Sequence, residues 1–215
     1  MHSRSFVIIF FVILFTGSFA GAFAQYPGYK PVADFNGFKK KFAEESEKVQ
    51  SITSDFVQEK TLVALTEKIT SSGKFWFKRS NRVRIEYVKP FKYLLVMNGD
   101  KLLVRDNDRE NKINVKSNKL FQQVNRIMID CVQGTILDSK DFTTKVFEND
   151  KNYLLEMKPA SKALKEFFDV IVLTVDKSDY AARSIEMNEP AGDTTTIFFE
   201  NKKLNEVVAD AVFAL

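Results

Sequence analysis

The sequence predicts a mainly β, α+β fold: one large, curved antiparallel sheet or barrel of about ten or eleven short strands, with two amphipathic helices. Three observations carry that prediction. Beyond Ser51, apolar and polar residues alternate at period two over most of the chain. Turn dipeptides punctuate the alternation at hairpin spacing, Ser80-Asn81, Asn98-Gly99 and Asn149-Asp150 among them. Two stretches, 32–50 and 119–133, follow helical period instead. Strands in meander order argue against a βαβ sheet. No repeat, low-complexity tract or linker interrupts the series, so one domain is expected.

The first residues stand apart. Arg4 lies in the polar start, Phe6 to Phe15 is an unbroken apolar run of 10 residues, and Ala22-Phe23-Ala24 offers small residues before Gln25. That order is the signature of a secretory signal peptide cleaved after Ala24. The run is shorter than the roughly 20 residues that span a bilayer. The expected organisation is residues 1–24 as signal peptide and 25–215 as a single exported domain.

Removing those 24 residues from 215 leaves 191, with 31 basic and 28 acidic residues and a net charge of +3. The one histidine, His2, is removed with them, and Cys131 is the one cysteine. A mature chain without histidine excludes Ser-His-Asp and Cys-His nucleophilic machinery, and any zinc or haem site built on histidine. One cysteine excludes an intramolecular disulfide. The weak, unclustered charge does not suit nucleic acid. No cofactor and no metal are expected.

The elements follow in order. Tyr26 to Lys30, with Pro27 and Gly28, reads as an extended arm. In 32–50, Phe35, Phe38, Phe42 and Val49 recur at helical spacing between charged residues, with Asp34 or Asn36 as N-cap. Ile52, Ser54, Phe56 and Gln58 then alternate with Thr53, Asp55 and Val57. Gly73 opens a strand over Lys74 to Arg79, and Arg82 to Tyr87 returns after the Ser80-Asn81 turn, ending at Lys89-Pro90. Tyr93 to Met97 and Lys101 to Val104 flank Asn98-Gly99 as a hairpin, and Lys112 to Val115 is a short strand. In 119–133, Leu120, Phe121, Val124, Ile127, Met128 and Cys131 share one helix face, and Gly134 stops the helix. Strands resume over Phe142 to Glu148, Tyr153 to Met157, Phe168 to Asp176, Arg183 to Asn188 and Thr194 to Glu200. Val207 to Leu215 is expected as a final edge strand.

Parity sorts the faces. Phe75, Phe77 and Arg79 share one side of their strand, and Val83, Ile85 and Tyr87 share the matching side of the next. Arg79 is thereby turned inward. There its charge and five donors need partners, which backbone carbonyls of a covering segment would supply. Tyr153, Leu155 and Met157, then Ile171, Leu173 and Val175, then Ile185 and Met187, then Ile197 and Phe199 form further apolar faces. A curved sheet cannot bury such a face alone, and the two helices are the available covers. Composition fits a packed core as well as a ligand cavity. Cys131 reads as a buried, inert thiol. Lys74, Lys78, Arg82 and Arg84 make an outward basic patch, for solubility or for acidic partners.

The run Gly73-Lys74-Phe75-Trp76-Phe77-Lys78-Arg79, then Val83-Arg84-Ile85-Glu86-Tyr87, Pro90 and Asn98-Gly99-Asp100-Lys101-Leu102, resembles the LolA family of periplasmic outer-membrane lipoprotein carriers. The resemblance extends to Ser54-Asp55-Phe56-Val57-Gln58, Leu155-Glu156-Met157-Lys158-Pro159 and Ile197-Phe198-Phe199-Glu200-Asn201, and covers roughly residues 35–215. It implies an unclosed antiparallel β-barrel of about 11 strands under a helical lid. The implied cargo is the acyl chains of lipoproteins, received from an inner-membrane lipoprotein-releasing ABC transporter and passed across the periplasm, by a monomer, to an outer-membrane acceptor. Arg79 falls on the family's lid-latching arginine. The expected acyl-chain cavity comprises Phe56, Phe75, Phe77, Val83, Ile85, Tyr87, Leu155, Met157, Ile171, Leu173, Ile185, Met187, Ile197 and Phe199. The expected lid comprises Phe38, Phe42, Leu120, Phe121, Val124 and Met128. Two departures stand out. Ser80 replaces the proline usual after that arginine, and the chain ends at Leu215 without the Pro-Gly tail of the best-known members, which leaves the acceptor open.

Two alternatives remain at this level. The same barrel would suit another lipid, an apolar pigment or a role in sensing misplaced lipoproteins. A carboxylate hydrolase would draw on Asp55, Glu59, Asp106, Asp108, Asp141, Asp169 or Glu186, which the pattern places on polar faces or in turns.

Overall fold

The computed structural model describes residues 26–65, 67–79, 81–107, 109–114, 126–127 and 129–215. In chain order the elements are β1 (Lys30–Pro31), α1 (Phe35–Lys48), β2 (Ser51–Thr61), β3 (Lys68–Lys78), β4 (Arg82–Lys89), β5 (Tyr93–Asn98), β6 (Lys101–Asp106) and β7 (Arg109–Asn114). Helical residues at 126–127 and 129–133 form α2. Then come β8 (Phe142–Glu148), β9 (Asn152–Pro159), the single turn α3 (Lys162–Lys165), β10 (Val170–Asp176), β11 (Ala182–Asn188) and β12 (Thr194–Leu204).

All the described strands join one 12-stranded sheet in the order β1-β8-β9-β10-β11-β12-β2-β3-β4-β5-β6-β7. Every neighbouring pair is antiparallel. β1 and β7 end the ladder with one partner each, so the barrel stays unclosed. The 11-residue strands β2, β3 and β12 lie together near the middle, where the early and late halves of the chain meet. The edge strand β7 begins Arg-Glu-Asn-Lys, a charged edge that discourages pairing with another chain.

Three expectations change. The extended arm supplies a twelfth strand, because Lys30 and Pro31 pair with Glu148 and Phe147. β3 starts five residues ahead of Gly73, at Lys68, extending the hairpin with β2. Val207 to Leu215 is not an edge strand; Asp210–Phe213 is a 3-10 turn. The reason is packing. Phe213 is fully buried in a cluster with Leu94, Val96, Leu103 and Val208, with Trp76 packed against it. Those strand residues have the parity opposite to Phe75, Leu95 and Met97, so this turn covers the outer face of the sheet. It also occupies much of the basic patch. Lys78 Nζ donates to Asp210 Oδ1 (2.5 Å) and to the Val208 carbonyl, and Arg82 Nη1 donates to Asp210 Oδ1. The Arg82 guanidinium lies 5.9 Å from the Phe213 ring centre, and that of Arg84 lies 5.6 Å from Trp76. Lys78, with Arg82 beside it, holds the Asp210 carboxyl below its ordinary range.

α1 begins where the Asp34 carboxylate accepts from the Gly37 amide at 2.8 Å. Phe38 and Phe42, four residues apart, put their stacked rings 5.6 Å apart on its buried face. Lys41 and Lys48 flank Glu45 on the solvent side and hold its carboxyl below the usual range. Phe38 and Phe42 pack into a cluster with Leu155, Met157, Leu164 and Phe168. Val49, capping the other end of α1, joins a second cluster with Ile52, Phe77, Val83 and Leu102. The helix thus closes one end of the concave face.

Candidate functional site

The rest of the concave face is not closed. Between it and α2 lies a cavity of about 320 Å³. The register assembles its wall in rows. Leu173, Ile185, Ile197 and Gln58 are successive cross-strand partners from β10 to β2. Phe75, Ile85 and Leu95 are partners from β3 to β5. Between these rows Phe199 pairs with Phe56, Phe56 with Gly73, and Gly73 with Tyr87. Gly73 is required there. A Cβ at that position would lie 2.8 Å from the Phe56 ring and 2.0 Å from the Glu86 carbonyl oxygen. Its absence lets the Phe56 ring meet Tyr87 edge-on at 5.0 Å.

Of the expected cavity residues, Phe56, Phe75, Ile85, Tyr87, Ile171, Leu173, Ile185, Met187, Ile197 and Phe199 line this space. Phe77, Val83, Leu155 and Met157 do not. They face the same side but are sealed into the two clusters beneath α1, each with at most 1% exposure. Parity identifies the face; the reach of the covering helix decides which part stays open. For the same reason Phe38 and Phe42 are packed core and do not border the cavity. Leu120, Phe121, Val124 and Met128 lie outside the described residues. The described ceiling is Ile127, Cys131 and Val132 of α2.

Sequence reasoning missed Gln58, Leu95, Met97, Phe168 and Ala182 as lining residues. Gln58 shares the parity of Phe56, and Leu95 and Met97 share that of Tyr93, so alternation alone held that signal. Phe168 falls in the predicted strand Phe168 to Asp176 at the parity opposite to Ile171 and Leu173, but β10 begins at Val170, so that parity does not govern it and its ring reaches the cavity.

Arg79 follows β3 and turns toward α1. Its Nε donates to the Val49 carbonyl and its Nη2 to the Ser46 carbonyl, both at 2.6 Å, while its backbone amide donates to Gln50 at 2.9 Å. These oxygens belong to the C-terminal end of α1, where carbonyls lack i+4 partners and carry partial negative charge; that of Ser46 also accepts the capping Val49 amide at 3.2 Å. A guanidinium fork meets both needs. Gly134, at φ +72°, sits against the same turn, and a Cβ there would lie 2.8 Å from Ser46 Oγ and 3.0 Å from Ala43 Cα. The chain leaving α2 and the end of α1 therefore meet where Arg79 binds.

At the opposite end of the cavity, Tyr87 Oη donates to Gln58 Oε1 at 2.8 Å, and the exposed Phe91 stacks on Tyr87 at 6.0 Å. Burial, and then the neighbouring Tyr93, push the Tyr87 hydroxyl up to about 12, so it stays neutral. Burial, with Asp130 beside it, likewise pushes the Cys131 thiol up to about 12. Alkylation of Cys131 should be slow at neutral pH and quicken as pH rises, because the thiolate is the nucleophile; rapid labelling at pH 7 would contradict the raised thiol. None of Asp55, Glu59, Asp106, Asp141, Asp169 or Glu186 lines the cavity, and Asp108 lies outside the described residues.

An unclosed antiparallel barrel with helices over an apolar hollow defines a class of lidded half-barrels. The chain belongs to the family of the outer membrane lipoprotein carrier protein LolA, whose pattern matches residues 47–215. It is 34% identical over 95 residues to the outer-membrane lipoprotein carrier protein of Methylibium petroleiphilum, a match spanning 44% of this chain and 45% of that relative, less than half of its length. The crystal structure of a LolA superfamily protein from Nitrosomonas europaea is 12% identical, with a TM-score of 0.44 over 82% of this chain and 97% of that one. That of MucB is 11% identical, with a TM-score of 0.50 over 83% and 62%.

Proposed function

We propose that the protein is a periplasmic carrier, exported by its signal peptide, that takes the acyl chains of lipoproteins into the cavity. It receives them from an inner-membrane ABC transporter and gives them up, as a monomer, at an outer-membrane acceptor. The observation that carries this reading is the wall: of the 18 lining residues among those described, Gln58 is the one with a side-chain amide and none is charged. Hydrocarbon buried there gains about 0.8 kcal/mol per CH₂, on the order of 12 kcal/mol for a 16-carbon chain. Escape through water is then slow, so a carrier must offer comparable apolar surface and a cover that opens without unfolding.

Size supports a moving cover. About 320 Å³ is near the lower end of the roughly 300–1,000 Å³ common for ligand pockets. A multiply acylated anchor needs more room than that, and the room is gained by lifting the helices. The direct test is whether purified protein keeps a triacylated lipoprotein in solution without detergent. A soluble one-to-one complex is expected; pelleting of the lipoprotein would refute the carrier reading.

A further inference from the structure

Along the inner face of β2, three residues at two-residue spacing change character. Phe56 is deep in the cavity, Gln58 is in its wall, and Lys60 lies beyond it, paired with Glu189 at 3.1 Å. Each step is roughly 7 Å along the strand. Apolar wall, neutral amide and charged rim follow in a line.

Gln58 is the unusual member. An amide in an apolar wall is costly unless its donors and acceptors are met. Its oxygen is met by the Tyr87 hydroxyl at 2.8 Å. That bond fixes the orientation of the amide and leaves Nε2, which only donates, with no hydrogen bond among the described residues. The Tyr87 ring is held in turn by Phe56, Phe91 and Tyr93, at 5.0, 6.0 and 5.8 Å. A polar group aligned by a buried partner, bordering a cavity that is otherwise hydrocarbon, is suited to one polar atom on an otherwise apolar ligand.

We propose that Gln58, positioned by Tyr87, is a specificity residue whose amide donates to the ester or amide carbonyl at the head of a bound acyl chain. The chain then enters tail-first, with its carbonyl at Gln58 and its polar remainder toward Lys60 and Glu189. This inference rests on the acyl-binding reading and adds to it a direction of entry and a preference for carbonyl-linked chains over plain alkyl chains.

The test uses two probes that differ in the carbonyl alone, 1-hexadecanoylglycerol and 1-O-hexadecylglycerol, each displacing N-phenyl-1-naphthylamine from the purified mature chain. The ester is expected to bind roughly three- to tenfold tighter than the ether, the range of one net hydrogen bond. Gln58→Met, unbranched and without a donor, should bring the two probes to equal affinity. Tyr87→Phe, which frees the amide to rotate, should narrow the gap. Equal affinities in the unmodified protein overturn the inference without any variant, as does an ester preference that survives in Gln58→Met. Failure of both probes to bind the unmodified protein instead removes the acyl-binding reading itself.

Discussion

Arg79→Leu is expected to leave the sheet folded while freeing the C-terminal end of α1. The substitution removes two donors from the Ser46 and Val49 carbonyls. Charge-assisted bonds of this kind contribute about 1.5–3 kcal/mol each when intact. Arg79 is half-buried, so water recovers part of that loss. The remaining deficit falls on opening of the helix, since the ladder hydrogen bonds of β3 to its neighbours do not involve this side chain. Hydrogen exchange should show amides of α1 exchanging about 10- to 100-fold faster, with those of Leu155 to Met157 unchanged, and cargo transfer should fail. Arg79→Lys keeps the charge but not the planar fork, and should restore the protection only in part. Unchanged α1 exchange together with normal transfer in Arg79→Leu would remove the latch.

Ile185→Trp should abolish binding without harming the fold. Ile185 is half-buried on β11, cross-strand to Leu173 and Ile197, and borders the open space. A tryptophan there has somewhere to go. Its ring enters the hollow and makes the dispersion contacts that the bare wall lacks. Affinity for an apolar fluorescent probe should fall more than tenfold, and the melting temperature should hold or rise. Ile185→Ala is the matched control: it enlarges the space, keeps binding and lowers stability. Full binding by Ile185→Trp would mean that the hydrocarbon sits elsewhere.

Much of the fold was legible because alternation is a local signal. The hairpins, the Asp34 cap and the inward turn of Arg79 all follow from residues within a few positions of each other. What the pattern hides is distance along the chain. Phe77 and Phe75 are equivalent by parity, yet one is sealed beneath Val49 and the other borders the cavity. That difference is set by where α1 ends and by its contact with Gly134, nearly a hundred residues later. Val207 to Leu215 misled for a related reason. Its apolar residues suit a strand, but Phe213 finds a ready site among Val96, Leu103 and Trp76 on the outer face. Gln58 was visible on the inner parity, and only its hydrogen bond to Tyr87 distinguishes it from an ordinary polar strand residue.

The pairing of β2 with β12 sets the order in which this molecule matures. Phe56 and Phe199 are neighbours across that seam, although roughly 140 residues separate them in the chain. During synthesis, β2 emerges early and must wait for β12, the last of the described strands, before one of its edges is satisfied. Contacts of such long range fold slowly, and the waiting edge attracts wrong partners. A truncation that deletes β12 would therefore leave β2 with an unpaired edge beside Phe56, and aggregation during folding, more than a local loss of binding, is the damage such a lesion should cause.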